Sequence, residues 1–204
     1  RSLVGSEMCI RDSVVTGEVN PSGHTTATFA ANSLSAPSAE NFGLHAYNYG
    51  SKTPRAAGDS FVSYNEGIYV GYRYYDTKEA DVLFPFGHGL SYTTFAYSDL
   101  RLSHSIVREG EDVQVTVTVT NTGAVSGKET VQLYVTPPKG ERHRPVRELK
   151  GFAKVSLQPG ESKDVQFTLD KRSLAYYEPE LHDFYAESGT YQICVGASSR
   201  DLRL

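Results

Sequence analysis

The stretch Asp112-Val-Gln-Val-Thr-Val-Thr-Val-Thr120 places valines at 113, 115, 117 and 119 with a polar residue at every position between them. Successive side chains of a strand point to opposite faces, so this strict period of two predicts a β-strand with one buried and one solvated face. Working outward, Asn121-Thr-Gly123 turns the chain, and Thr130-Val-Gln-Leu-Tyr-Val135 puts Val131, Leu133 and Val135 on an inner face. Pro159-Gly160 marks a further turn, followed by Val165, Phe167 and Leu169 at alternate positions. The last run, Gly189-Thr-Tyr-Gln-Ile-Cys-Val-Gly196, is a late strand whose Tyr191 is placed to serve as a tyrosine corner. Short alternating strands between Gly and Pro turns, over about 105 residues, predict an immunoglobulin-like β-sandwich from 98 to 204. A unit of this size buries roughly two-thirds of its unfolded surface and is expected to fold alone. A charge at Val117 should therefore abolish folding, whereas Thr118→Asp, on the opposite face, should be tolerated.

The whole chain has 204 residues, 39% of them apolar, an ordinary share for a globular protein with a packed core. Its formal net charge of −4 is spread without blocks of like sign, which argues against nucleic acid or a membrane surface as partner. No apolar run approaches the roughly 20 residues needed to cross a bilayer, and no N-terminal pattern makes a signal peptide. Cys9 and Cys194 are the only cysteines, too few for a disulfide scaffold. Cys194 shares a strand face with Gln192 and lacks the positive neighbourhood of a low-pKa nucleophile, so it reads as a structural or surface thiol. The six histidines show no His-x-x-x-His, His-Glu-x-x-His or Cys/His spacing; zinc chemistry has no support and no cofactor is implied. Neither Gly-x-Ser-x-Gly nor a phosphate-loop motif occurs, which removes serine-hydrolase and nucleotide readings.

Ahead of the sandwich, Tyr64-Asn-Glu-Gly-Ile-Tyr-Val-Gly-Tyr-Arg-Tyr-Tyr-Asp76 and Phe84-Pro-Phe-Gly-His-Gly-Leu-Ser-Tyr92 crowd tyrosines and glycines in an order that fits no amphipathic period. Local geometry and packing must therefore fix particular residues there. Asn20-Pro-Ser-Gly23 supplies a turn before a β-prone run to Phe29, and Ala30 to Ser63 reads as a long surface excursion. Arg1 to Ser13 shows no periodicity and is expected to be a foreign leader, the alternative being a genuine helix ending.

The two tyrosine and glycine blocks, the Asn-Pro-Ser-Gly turn and Arg144-Pro-Val-Arg-Glu-Leu-Lys-Gly-Phe152 with Leu157-Gln-Pro-Gly-Glu161 resemble the C-terminal portion of glycoside hydrolase family 3. The likeness is to its β-glucosidase and β-xylosidase kind, and it spans Val14 to Leu204. His24, Thr25 and Thr26 depart from it, standing where the family pattern has basic, Leu and Pro residues. The resemblance implies a remnant of an α/β-sandwich domain with its linker over 14–97 and a fibronectin type III-like domain over 98–204, giving a mainly β fold. It implies further that the parent protein hydrolyses β-glucosides, with β-xylosides or α-L-arabinofuranosides as runner-up substrates. Its partner would be a β-linked oligosaccharide or glycoside held through domains upstream, the sandwich acting as a structural buttress. A free-standing carbohydrate- or protein-binding sandwich is the alternative, and a row of exposed aromatics on one sandwich face would favour it.

Hydrolysis with retention needs two carboxyl groups about 5 to 5.5 Å apart. The resemblance puts both upstream of Val14, so no residue of this chain is expected to be catalytic and the fragment alone is expected to be inactive. Ser98-Asp99-Leu100 imitates the nucleophile motif without its aromatic partner, and Asp99 reads as a capping or turn residue. Glu66, Asp76, Glu79 and Asp81 are expected to be solvated or paired with Arg73. Arg73 is also suited to a bidentate pair with a carboxylate of an absent domain. His88, between Gly87 and Gly89, is expected at a domain interface, donating a hydrogen bond from its imidazole where backbones come close. Tyr69, Tyr72, Tyr74 and Tyr75 suit either junction packing or stacking on sugars. The candidate substrate contacts are accordingly Tyr69, Arg73, Tyr75 and His88.

Overall fold

The computed structural model describes residues 11–39, 64–140 and 142–204. Most of the expected leader, and the larger part of the excursion from Ala30 to Ser63, lie outside the described residues. Residues 11–15 form a helical turn, α1, closed by Thr16 N donating to Asp12 O at 2.8 Å. There follow β1 (Phe29–Ala30), a 3-10 turn Ser33–Ser35 capped by Asn32, α2 (Tyr72–Thr77) and β2 (Val82–Phe84). The β-prone run before Phe29 thus supplies only the short β1, which pairs antiparallel with β2.

The rest of the chain is the predicted sandwich. Its strands are β3 (Phe95–Leu102), β4 (Val113–Asn121), β5 (Gly127–Thr136), β6 (Glu148–Leu157) and β7 (Ser162–Leu169). A short helix α3 (Lys171–Leu174), a hairpin of β8 (Tyr176–Glu178) and β9 (Asp183–Tyr185), and β10 (Gln192–Gly196) complete it. Two antiparallel sheets result, ordered β3-β4-β7 and β10-β5-β6. The fold is therefore mainly β and fibronectin type III-like. Its first strand starts at Phe95, so the segment leading into the second unit already belongs to the sheet.

Val113, Val115, Val117 and Val119 are all buried, as their alternation predicts; Val165, Phe167 and Leu169 of β7 stand beside them in the same sheet, and Val131, Leu133, Val135, Leu157 and Val195 come from the opposite sheet. Each such side chain contributes roughly 1.5–3 kcal/mol when fully removed from water. Asn121 is buried at the end of β4 and its polar atoms are satisfied. Its amide donates to Val125 O at 2.8 Å and Leu157 O at 3.1 Å, while Oδ1 accepts from Thr93 Oγ1 and Gly123 N. This is why Asn121-Thr-Gly123 turns the chain without leaving a buried polar group unmet. Tyr191 OH donates to Glu187 O at 2.9 Å, the upstream backbone bond of a tyrosine corner. Asp99 sits in a bulge of β3 with φ of 53°, a conformation that Asp tolerates better than most residues, and its side chain is exposed.

β5 departs from simple alternation. Besides its inner residues, Gln132 and Tyr134 on the other face are also buried, because the tyrosine and glycine signature covers that face.

Candidate functional site

The signature is fastened to the outer face of β5 by a small set of directed contacts. Gly71, at φ 55°, starts α2 in a backbone conformation that L side chains rarely adopt. The turn aims Tyr72 at the sandwich, where its ring lies 4.8 Å from Phe86 and edge-on to Tyr134 at 6.2 Å. Its hydroxyl accepts from Leu149 N at 2.9 Å. Gln132 Nε2 donates to Gly87 O at 3.1 Å and to Ala197 O at 2.6 Å, and its Oε1 accepts from Tyr134 OH. Gly87 has φ of 80°, and a Cβ there would run into the Gln132 side chain, so glycine is demanded twice over.

Arg200, near the other end of the chain, completes the clamp. Its guanidinium donates to Asp76 Oδ1 at 2.7 Å, to Tyr75 O at 3.1 Å and to Ala80 O at 2.7 Å. Asp76 is buried and paired with Arg200, rather than solvated or paired with Arg73 as expected from sequence. Spacing along the chain carries no signal for a partner 124 positions away. Arg73 instead lends its charge to Glu148. Glu79 and Asp81 are exposed, in line with solvation.

Gly87, His88 and Gly89 bring two backbones together: Gly87 N donates to Thr25 O and Thr25 N to His88 O, both at 2.8 Å, while His24 bridges to Gly89. The His88 ring stacks on Phe84 at 5.1 Å, so packing, and not the expected imidazole hydrogen bond, defines its place among the described residues. The turn Asn20-Pro-Ser-Gly23 is likewise tied down, with Asn20 Nδ2 donating to Ser126 O and Lys154 Nζ to Ser22 O.

The four candidate contacts do not converge. Tyr75 is only 4% exposed and meets Tyr74 edge-on at 5.4 Å; Tyr69 and Arg73 are half-buried near α2. Of the four, only His88 lines a cleft of about 460 Å³, which lies between the His24 and His88 region and the sandwich residues Lys128, Glu129, Asp201 and Arg203. Within it Glu129 is buried and accepts from Tyr97 OH at 2.8 Å. Burial pushes the Glu129 carboxyl up, and burial beside that carboxylate pushes the Tyr97 phenol up strongly. Arg203 lies over the Tyr97 ring and pairs with Asp201 at 2.8 Å. Sequence reasoning missed this group, although Glu129 stands at an inward position of an alternating strand, a detectable signal.

The other buried carboxylates are also committed. Glu148 pairs with Lys150 at 2.6 Å and Arg144 at 3.5 Å, and Glu178 takes both Nε and Nη2 of Arg142 at 3.0 and 2.8 Å. Burial raises the Glu148 carboxyl, but the Lys150 hydrogen bond and the surrounding cations outweigh it and hold the group below its ordinary range. Cys194 is buried and free, and burial pushes its thiol up, which suits a structural residue and opposes a nucleophile. These arrangements fasten elements together.

Comparison with known proteins agrees with the geometry. A family model described as "Fibronectin type III-like domain" matches residues 129–199. The chain is 49% identical over 191 residues to "Thermostable beta-glucosidase B" of Acetivibrio thermocellus, covering 94% of this chain and 24% of that protein. It is 46% identical over 187 residues to "Probable beta-glucosidase I" of Emericella nidulans, covering 89% and 21%. Among solved structures, a GH3 β-glucosidase of Bifidobacterium adolescentis superposes with a TM-score of 0.82 at 41% identity, covering 94% of this chain and 26% of that one. β-Glucosidase 3B of Thermotoga neapolitana in complex with glucose gives 0.81 at 40%, covering 96% and 25%. The chain therefore belongs to glycoside hydrolase family 3 and matches the C-terminal part of its β-glucosidases, fibronectin type III-like domain included. It spans about a quarter of the length of these relatives.

Proposed function

We propose that this chain is the non-catalytic C-terminal part of an enzyme that hydrolyses β-glucosides, its sandwich buttressing the catalytic domains. The observation that carries this reading is the way the signature is docked: Arg200, Gln132 and Tyr72 fasten it to the sandwich at β5, β6 and the chain after β10. On its far side the same segment exposes apolar residues, among them Leu83 at 63% and Phe29 at 51% on the two-stranded β1–β2 ribbon. An isolated two-stranded ribbon is marginal in water, so this one needs further structure to cover it. The sandwich thus grips one face of a segment whose other face is shaped to be covered by the remainder of an α/β domain. Within that setting Tyr69 and Arg73, half-exposed at the junction, are the residues suited to contact a glycoside, while Tyr75 and His88 serve packing.

The four buried carboxylates among the described residues are each held by donors of this chain, which supports inactivity of the chain alone. The test is the hydrolysis of an aryl β-glucoside by the purified 204-residue chain. No turnover above background is expected, and turnover that disappears in an Asp99→Asn or Glu66→Gln variant would overturn the reading.

A further inference from the structure

The hairpin of β8 and β9 carries four aromatic residues in two cross-strand pairs. Tyr176 meets Tyr185 edge-on at 6.0 Å, and Tyr177 meets Phe184 edge-on at 5.6 Å. Alternation puts the pairs on opposite faces. The first faces the sandwich, with Arg144 over the Tyr176 ring at 5.3 Å. The second lies on the opposite face of the hairpin, and Tyr177 remains 51% exposed. Beside it the Arg172 guanidinium lies 4.3 Å over Phe184, and Phe184, Asp112, Asp170, Lys171, Arg172 and Asp183 line a cleft of about 340 Å³.

We propose that this cleft, with Tyr177 on its flank, binds a β-linked glucan chain. The cleft's size falls at the small end of the range for small-molecule sites, roughly 300 to 1,000 Å³. Three carboxylates stand against two cations in the lining, and Lys171 is itself paired with Glu109 at 2.8 Å, so the cleft is mildly acidic and does not select a phosphate or a polyanion. What it offers is an exposed aromatic face, carboxylate acceptors and a guanidinium fork. β-Glucosyl rings carry their hydroxyls equatorially, which leaves flat C–H faces to stack on a phenol ring and a rim of hydroxyls to meet charged planar groups. The platform is also rigid before any ligand arrives. Arg142 holds Glu178 in a two-point contact, and Arg172 is fixed on Phe184 by cation–π attraction. Preorganisation of this kind removes ordering cost from binding. The site gives the sandwich a ligand of its own, which the buttress role does not require; only the choice of glucan over other β-linked chains rests on the β-glucosidase reading.

Affinity gel electrophoresis of the 204-residue chain through soluble mixed-linkage β-glucan, with xylan and dextran gels alongside, tests the proposal. β-Glucan is expected to retard the chain and dextran to leave it unaffected. Tyr177→Ala and Arg172→Ala should each weaken retention about tenfold, the size of one aromatic or charged contact. Tyr185→Ala, on the opposite face of the same hairpin, should leave retention unchanged, and circular dichroism should show all variants folded. Free migration in β-glucan, or equal retention of the unaltered chain and Tyr177→Ala, would overturn the proposal. Retention by xylan alone would overturn the ligand assignment, whereas aryl-glucoside turnover by the chain would strike the buttress reading and leave this site standing.

Discussion

Replacing Arg200 by alanine removes three donors at once and leaves Asp76 as a carboxylate whose side chain is 4% exposed. Asp76 Oδ2 is already buried without a hydrogen-bond partner among the described residues, so nothing nearby takes over the charge. Breaking a fully buried ion pair costs about 3–5 kcal/mol. The Arg200 side chain is 33% exposed, so solvent screens part of the interaction and about 2–3 kcal/mol is the expected loss. That loss falls on the junction rather than on the sandwich, whose core lies on the other side of β5. The informative assay is therefore native-state hydrogen exchange, which reads local opening. The amides of Lys78 and Ala80, bonded to Tyr74 O and Tyr75 O, are expected to exchange about 30- to 150-fold faster in Arg200→Ala, while those of β4 hold their rates. Adding Asp76→Asn should recover much of the protection by removing the stranded charge. Exchange at Lys78 and Ala80 within about twofold of the unaltered chain would refute the clamp.

Val117→Asp places a charge among buried valines and is expected to abolish the unfolding transition seen by circular dichroism; a folded variant would mean that the β4 register is wrong. The benign partner is Thr116→Asp, opposite Gln166, because Thr118 donates to Asp164 and a carboxylate there would face another across the sheet, contrary to the expectation from alternation alone. Gly87→Ala forces a left-handed backbone and a clash with Gln132, and a loss of about 2–4 kcal/mol is expected at the junction by the same exchange measurement; unchanged protection would contradict it. Glu148 has a folded-state value below its ordinary 4.5, so the stability it gives is present above pH 4.5 and is lost as pH falls through the lowered value. Urea titrations between pH 6 and 3 should show a shallower decline for Glu148→Gln, and parallel curves would contradict the pairing with Lys150 and Arg144.

The sandwich was legible in the sequence because a half-buried strand writes its environment into every second residue. Val113 to Val119, Val131 to Val135 and Val165 to Leu169 therefore announce the core, and the Asn121 and Pro159 turns divide it. What covers the second face of β5 leaves no such trace. Gln132 and Tyr134 look like solvent-facing residues until Tyr72, Phe86 and Gly87 are laid over them. The Arg200 and Asp76 pair was illegible for a related reason, since a contact spanning most of the chain has no spacing rule. The tyrosines of the signature were readable as packing residues, but not which of them packs; geometry singles out Tyr72 and Tyr75. The aromatic hairpin was overlooked because Tyr176, Tyr177, Phe184 and Tyr185 become two faces only when the strands pair in the observed register.

The central claim, that this chain serves as the C-terminal buttress of a β-glucosidase, is tested most directly by transplantation. The matching region of the Acetivibrio thermocellus β-glucosidase B, 49% identical to this chain, is replaced by residues 14–204, and hydrolysis of an aryl β-glucoside is measured beside a version from which that region is simply removed. An active chimera, an inactive truncated protein, and a chimera whose melting temperature but not KM falls on Arg200→Ala are expected. A folded chimera without activity, or a truncated protein as active and as stable as the intact one, would contradict the claim.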